Sequence, residues 1–233
     1  MSATAFRLDE QEAAINAVAV EWAALMTKAV AEWDADMATM MAEQAQLVAK
    51  GRWVGGPADL LTVIGRGRRE TYHSAILAWL MNPGGRHRLG TNFLRAVLDT
   101  CTDAPAVQPD TLPGCASAVE VNGPSSRADI VVGGPGLHLI VEVKVDWVES
   151  DDQCQRLFND HDRPEARFVF LTPRGRVPRS CDDVTRACWA ALSFRQVRST
   201  LERLVDGNSD LAADEDAHAT LRSYLATLRR EFP

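Results

Sequence analysis

Three residues in the middle of the chain have the types and spacing for metal-assisted chemistry. Glu142 and Lys144 are two apart in the apolar run Leu137–Val145. If that run is a strand, side chains alternate and both project to one face. Asp129 lies in the preceding apolar segment, Ala128–Val132, which a glycine-rich turn joins to the first. Neighbouring strands run about 4.8 Å apart, so Asp129 reaches the same patch of surface. Two carboxylates and an ammonium in apolar strands are costly to bury unless they pair or hold a cation. Paired carboxylates suit Mg²⁺, a hard ion that takes oxygen ligands and keeps several waters. A lysine beside them can orient or deprotonate a water, or stabilise charge on a phosphate. That is the equipment for phosphodiester hydrolysis. A Glu–Lys ion pair on a sheet face is the competing reading, and the apolar flanks weigh against it. So does the scarcity of lysine: of 25 basic residues only Lys28, Lys50 and Lys144 are not arginine.

The elements that must position these residues follow from periodicity. Residues 8–50 form one long helix or two, with Ile15, Val18, Trp22, Leu25, Ala29 and Trp33 spaced by three and four, and Met37, Met40 and Met41 continuing the stripe. This is a packing face, for the chain's own core, a second copy in a homodimer or a partner protein. Gly51-Arg52-Trp53-Val54-Gly55-Gly56-Pro57 breaks it, giving an N-terminal helical arm over 1–56 and a second domain over 57–233. A helix begins within 58–64. Another runs Glu70–Met81 and stops at Asn82-Pro83-Gly84-Gly85, and a third runs Thr91–Leu98. Residues 101–114 are loop. Strands are expected at 118–121, 128–132, 137–145 and 167–171, with the third buried on both faces. A helix from Asp151 to Asn159, with Ser150 as its cap, separates the last two. Helices near 193–204 and 217–230 close the chain. No internal repeat or low-complexity tract is expected.

Composition sets outer bounds. The chain has 233 residues, 46% hydrophobic and 24% charged, enough to bury a core. A net charge of -7 does not advertise a nucleic-acid surface, although arginines cluster at Arg66, Arg68, Arg69, Arg86 and Arg88, and at Arg174, Arg176 and Arg179. The five cysteines form no CxxC pair and are expected to be reduced thiols. No unbroken apolar run reaches about 18 residues, so a soluble, cytoplasmic protein with no membrane partner is expected.

Asp129, twelve residues, then Glu142-Val143-Lys144, in helix–strand–strand–strand–helix–strand order, resembles the PD-(D/E)XK nuclease superfamily. Further blocks are similar to bacterial proteins of that superfamily: Glu70-Thr71-Tyr72-His73-Ser74, Leu77–Pro83, His87 and Gly90 with Phe93-Leu94, Arg127–Ile130, Asp152-Gln153, and Phe170–Gly175. The likeness covers about residues 58–200. It implies an α/β (α+β) restriction-endonuclease-like αβββαβ core, with a mixed central sheet flanked by helices. It also implies a metal-dependent nuclease, with DNA as the substrate most expected and RNA an alternative, acting in bacterial defence or repair. The cofactor would be Mg²⁺, with Mn²⁺ able to substitute. Asp129 and Glu142 would be ligands, joined by the Val143 carbonyl and by Glu70. Lys144 would position the attacking water, and Gln153 would orient lysine, water or phosphate. His73, Arg86, His87 and Arg127 would contact substrate. The chain departs from the pattern in carrying Leu157, followed by Phe158, where an aromatic is expected after the glutamine. Gln155 competes with Gln153, and Glu120 with Glu70. The other reading is a catalytically inactive nucleic-acid-binding or assembly module on the same fold.

Overall fold

The computed structural model describes residues 3–52, 55–101, 107–146 and 148–233. Trp53, Val54, part of the expected 101–114 loop and Trp147 therefore lie outside the described residues. The chain divides into two compact units, Met1–Gly56 and Pro57–Pro233.

The first unit is a single helix, α1, over Ala3–Ala49. From Ile15 to Val48 its large apolar side chains are exposed apart from the half-buried Leu47, Trp33 at 78%. Glu12–Ala49 is long and apolar enough, by length and composition, to cross a membrane. This corrects the expectation that no segment qualifies. Glu21, Lys28, Glu32, Asp34, Asp36 and Glu43 interrupt the apolar runs there, yet alanine, valine and methionine keep the average high.

The second unit is built on a five-stranded sheet in the order β1-β2-β3-β4-β5. Helices α2 (Leu60–Val63), α3 (Glu70–Met81) and α4 (Asn92–Leu98) come first, then a 3₁₀ turn at Leu112–Gly114. Strands β1 (Ala116–Asn122), β2 (Arg127–Gly134) and β3 (Leu137–Val143) follow as an antiparallel meander. Gly134 pairs with Leu137, so Pro135 and Gly136 form the two-residue turn. Gly136 sits at φ +70, which favours glycine there. Helix α5 (Gln153–His161) then crosses to β4 (Ala166–Thr172), parallel to β3. Helix α6 (Asp183–Ala187) leads to a parallel edge strand, β5 (Trp189–Ser193). Helices α7 (Phe194–Asp206), α8 (Ser209–Ala212) and α9 (Glu215–Glu231) complete the unit. The sheet is mixed and flanked by helices, and α3-β1-β2-β3-α5-β4 is the expected αβββαβ core.

Two apolar layers flank the sheet. Leu139, Val141 and Val143 pack into one core with side chains of α3, α4, α7 and α9. Ile140 joins Phe168 and Phe170 of β4 in a second core with Cys154 and Leu157 of α5. Glu142 alternates with Val141 and Val143 and so faces the α5 side. The β3 residues are buried on both faces, as their near-continuous apolar character requires.

Several boundaries differ from expectation. Ladder pairing of β3 ends at Val143, although Lys144 N still donates to Leu171 O at 2.9 Å. Helix α5 starts at Gln153, and Ser150 does not cap it. The residue before the helix, Asp152, has φ +53 and makes no side-chain cap, while Ser150 N donates to Gln153 Oε1. The short strand β5 and helix α6 were not expected. Trp-Ala-Ala-Leu-Ser has little β-branched character and runs straight into α7. Ser193 ends β5 and caps α7, its hydroxyl accepting from Gln196 N while Gln196 Oε1 accepts from Ser193 N.

Replacing a cap of this kind by alanine costs about 1 kcal/mol. Ser193→Ala is expected to lower the melting temperature of the 57–233 unit by about 2–4 °C, read by calorimetry. An unchanged melting temperature would show that Ser193 contributes no cap.

Candidate active site

The site lies where β3 leaves the sheet. Glu142 is fully buried. Its Oε1 accepts from Lys144 Nζ at 2.6 Å and from Gln153 Nε2 at 2.5 Å. Its Oε2 is buried with no hydrogen-bond partner. Asp129 stands close by on β2, half-buried, with Oδ2 accepting from Val143 N at 2.8 Å. Glu70, at the start of α3, accepts from Val145 N at 2.7 Å. The three successive N–H groups around Lys144 are thus fixed by three different elements: Val143 by β2, Lys144 by β4 and Val145 by α3. That holds the lysine stem in one direction toward Glu142.

The electrostatics follow from this packing. Burial pushes the Glu142 carboxyl up to about 8; the Asp129 charge adds to this, and Lys144 offsets it only in part. Burial also raises Asp129, against the pull of the Val143 N–H and Lys144. Burial alone would lower the Lys144 ammonium, but the surrounding carboxylates, Glu142 first, hold it above its ordinary value. Lys144 is therefore a charged donor at neutral pH.

Glu70, Asp129, Lys144 and Gln153 line a cleft of about 380 Å³ with Glu120, Ser126, Arg127, Ser150 and Arg156, and Glu142 lies buried behind them. Glu120 has φ +52, and the β1–β2 ladder skips it, pairing Val119 with Ile130 and Val121 with Ala128. It is exposed and lies 3.6 Å from the Arg127 guanidinium. The chemistry of the donor set suits a divalent cation. Glu142 Oε2 is buried beside Asp129 with no hydrogen-bond donor, and a bound cation would satisfy it and favour the ionised carboxylate. Among the described residues no three His, Cys, Asp or Glu side chains converge on one point. A cation here would therefore rest on Asp129 and Glu142, with main chain and water completing the shell. Glu70 stands beside that pair, its carboxylate engaged with Val145.

The structure does not bring every expected residue to the cleft. His73 is fully buried, with Nε2 donating to Gly67 O at 2.8 Å and Nδ1 accepting from Tyr224 Oη at 3.1 Å. Burial lowers it to about 4, so it is a neutral core imidazole with no surface for a phosphate. His87 is buried too, accepting from Leu89 N and donating to Asn82 O. It braces the loop after α3, where a Cβ on Gly85 would meet its ring at 2.5 Å. Arg86 is exposed and lines a separate cleft with Trp79 and Asp214. Arg127 alone of the four expected substrate contacts borders the carboxylates. Between the two glutamines, Gln153 reaches Glu142, whereas Gln155 bonds Asn159, Thr185 and the Asp182 amide. Gln153 orients the carboxylate, which differs from the expected lysine, water or phosphate.

Sequence reasoning missed Glu149. Its side chain is 5% exposed and pairs with the Arg176 guanidinium. It also accepts from Arg179 N and Ser180 N, both at 2.8 Å, and from Ser180 Oγ at 2.7 Å. Burial would raise this carboxyl, but Arg176 and the other donors draw it down to about 2. Ser180 in turn accepts from Cys154 N through Oγ and from Gln155 N through its carbonyl. Glu149 therefore ties the loop after β4 to the first turn of α5, the turn that carries Gln153. Apart from the thiol of Cys154, its partners lie 27–31 residues away, so no local pattern marks it.

A pH dependence follows from Glu142. A folded-state pKa above the ordinary value means that stability present at low pH is lost on ionisation. Metal-free protein should lose stability as pH rises from about 4.5 through about 8, on the order of 1 kcal/mol per unit across that window. Denaturant unfolding from pH 5 to 9 measures it. Glu142→Gln should flatten the slope, and an unchanged slope would mean that another group titrates.

Comparison with known proteins agrees with the geometry. The family model of the PD-(D/E)XK nuclease superfamily matches residues 58–226. No curated protein and no solved structure matches the chain. The family match spans well over half of the chain and takes in every strand of the sheet as well as Asp129, Glu142 and Lys144, and on that ground the chain belongs to the PD-(D/E)XK nuclease superfamily.

Proposed function

We propose that the chain is a Mg²⁺-dependent DNA endonuclease, with Mn²⁺ able to replace Mg²⁺. We place it in the cytoplasm, in defence against foreign DNA or in repair. One observation carries the reading: the buried Glu142, with one oxygen unpartnered, stands next to Asp129 and the charged Lys144. Asp129 and Glu142 would hold the cation, with the Val143 carbonyl as a further donor. When bound, it would neutralise charge on the phosphate and ease ionisation of a water.

The protein's own residues divide the remaining work. Lys144, hydrogen-bonded to Glu142 and bordering the cleft, would orient the water and the phosphate oxygens. Gln153 fixes the Glu142 carboxylate. Arg127 and Arg156, at the mouth of the cleft, would meet the phosphates on either side of the scissile bond. With a net charge of -7, long-range attraction to DNA is weak, and these local contacts must carry binding.

Cleavage tests the reading. Purified protein should nick supercoiled plasmid with Mg²⁺ or Mn²⁺ and not with EDTA, and Lys144→Ala should lose about 100-fold or more. Equal cutting by both proteins would sink the assignment of Lys144. Cutting of RNA alone would change the substrate. Silence on both nucleic acids would point to an inactive binding module. A second expectation concerns Glu149. Residues that orient metal ligands typically matter 10–100-fold for metal affinity. Glu149→Gln should weaken Mn²⁺ binding by about tenfold or more in a calorimetric titration, and unchanged binding would show that the loop tie does not reach Glu142.

A further inference from the structure

Helix α1 carries a repeat that spacing by threes and fours conceals. Counted in elevens, Ile15, Met26, Met37 and Val48 occupy one position. Val18, Ala29 and Met40 lie three residues after the first three of these, and Trp22, Trp33 and Gln44 seven after. Glu21, Glu32 and Glu43 recur at the same period. The expectation of no internal repeat fails here. Eleven residues in three turns give about 3.67 per turn, just above the 3.6 of a straight helix. A stripe of that period runs almost parallel to the helix axis. From Ile15 to Val48 it is about 50 Å long. It is also bare: Ile15, Val18, Trp22, Met37 and Met40 are each more than half exposed.

The period selects the partner. Seams of this kind need knobs and holes of matching spacing along their whole length. A second copy of α1 supplies the same period by necessity. The other long helix, α9, has 17 residues and its apolar side is already buried. The charge pattern argues against the alternatives. A helix lying on lipid carries Lys and Arg on its polar face. Residues 12–49 have six acidic side chains, at 12, 21, 32, 34, 36 and 43, and one basic, Lys28. In a membrane-crossing helix Glu21 and Lys28 would lie within the apolar span, which is expensive. The area is adequate as well. A specific interface needs about 800 Å² per partner, and two buried tryptophans alone bring roughly 300 Å².

We infer that α1 is a self-association helix, through which copies of this chain pack their 11-residue stripes into a nearly straight, slightly right-handed coiled coil. This rests on α1 alone and is independent of nuclease activity. Sedimentation equilibrium on the full chain tests it. Wild type should show at least twice the 25.5 kDa monomer mass. Trp22→Glu with Trp33→Glu should give 25.5 kDa. Met26→Asn, a milder change within the stripe, should raise the dissociation constant about tenfold or more. Val20→Glu, on the far side of the helix, should leave the mass unchanged. Thermal unfolding of the 57–233 unit checks that each variant is folded. A wild-type monomer overturns the inference, including one captured by phosphatidylcholine vesicles. So does an oligomer that survives both stripe variants.

Discussion

The second unit is organised around one carboxylate kept where a carboxylate is costly. Glu142 is fully buried between Val141 and Val143, on a strand whose other side chains, His138 apart, are apolar. Taking such a group from water costs several kcal/mol unless it is paired. The fold repays only part of that, with two donors on Oε1 and none on Oε2. It also sets Asp129 close enough to oppose ionisation of Glu142. A neutral side chain of the same shape would suit this position better, so stability alone does not explain Glu142. On the proposed reading, the unmet half of the carboxylate is the part that would hold a cation, and the rest of the site keeps it in place.

That support is built mainly from main-chain amides. Asp129 and Glu70 take the N–H groups on either side of Lys144, and Glu149 takes those of Arg179 and Ser180. Three carboxylates, on β2, on α3 and in the loop after β3, thus pin the loops that leave β3 and β4. Both loops emerge at the carboxyl ends of parallel strands, where ligands bind in open α/β sheets. The pins explain why the site can be precise although most of it lies beyond the last ladder pair of β3. Arg176 adds to the same support, lying over the Phe170 ring at 5.1 Å while it holds Glu149.

Much of this was legible in the chain. Helix α3 runs Glu70–Met81 as its periodicity predicts, and the three meander strands fall where alternation and glycine turns put them. The convergence of Asp129, Glu142 and Lys144 follows from strand geometry alone. What stayed hidden was set by distant partners. His73 and His87 look chemical in a linear motif, but Tyr224 and the Asn82 carbonyl claim them. His138 and His161, without motif partners in sequence, meet at 2.9 Å across β3 and α5. Gln153 and Gln155 differ only in which face of a short helix they occupy, and the start of α5 decides it. The 11-residue period of α1 was masked for another reason: spacings of three and four satisfy it and a plain amphipathic stripe equally well.

Lysine at 144 can now be given a physical reason beyond its rarity. Arginine supplies nearly every other cation, so composition alone would favour it here. Glu142 Oε1, however, already accepts from Gln153, and it offers Lys144 a single approach at 2.6 Å from a pinned backbone. A guanidinium is planar, longer and forked, and it satisfies itself best against two acceptor oxygens at once. Placed at 144 it would engage both oxygens of Glu142 and close off the one left open. The Lys144 ammonium leaves Oε2 free and itself borders the cleft. The same argument explains why the partner on the other side is a glutamine: its amide adds a donor to Oε1 without adding charge. The site thus selects both neighbours of Glu142 by what they leave unsatisfied.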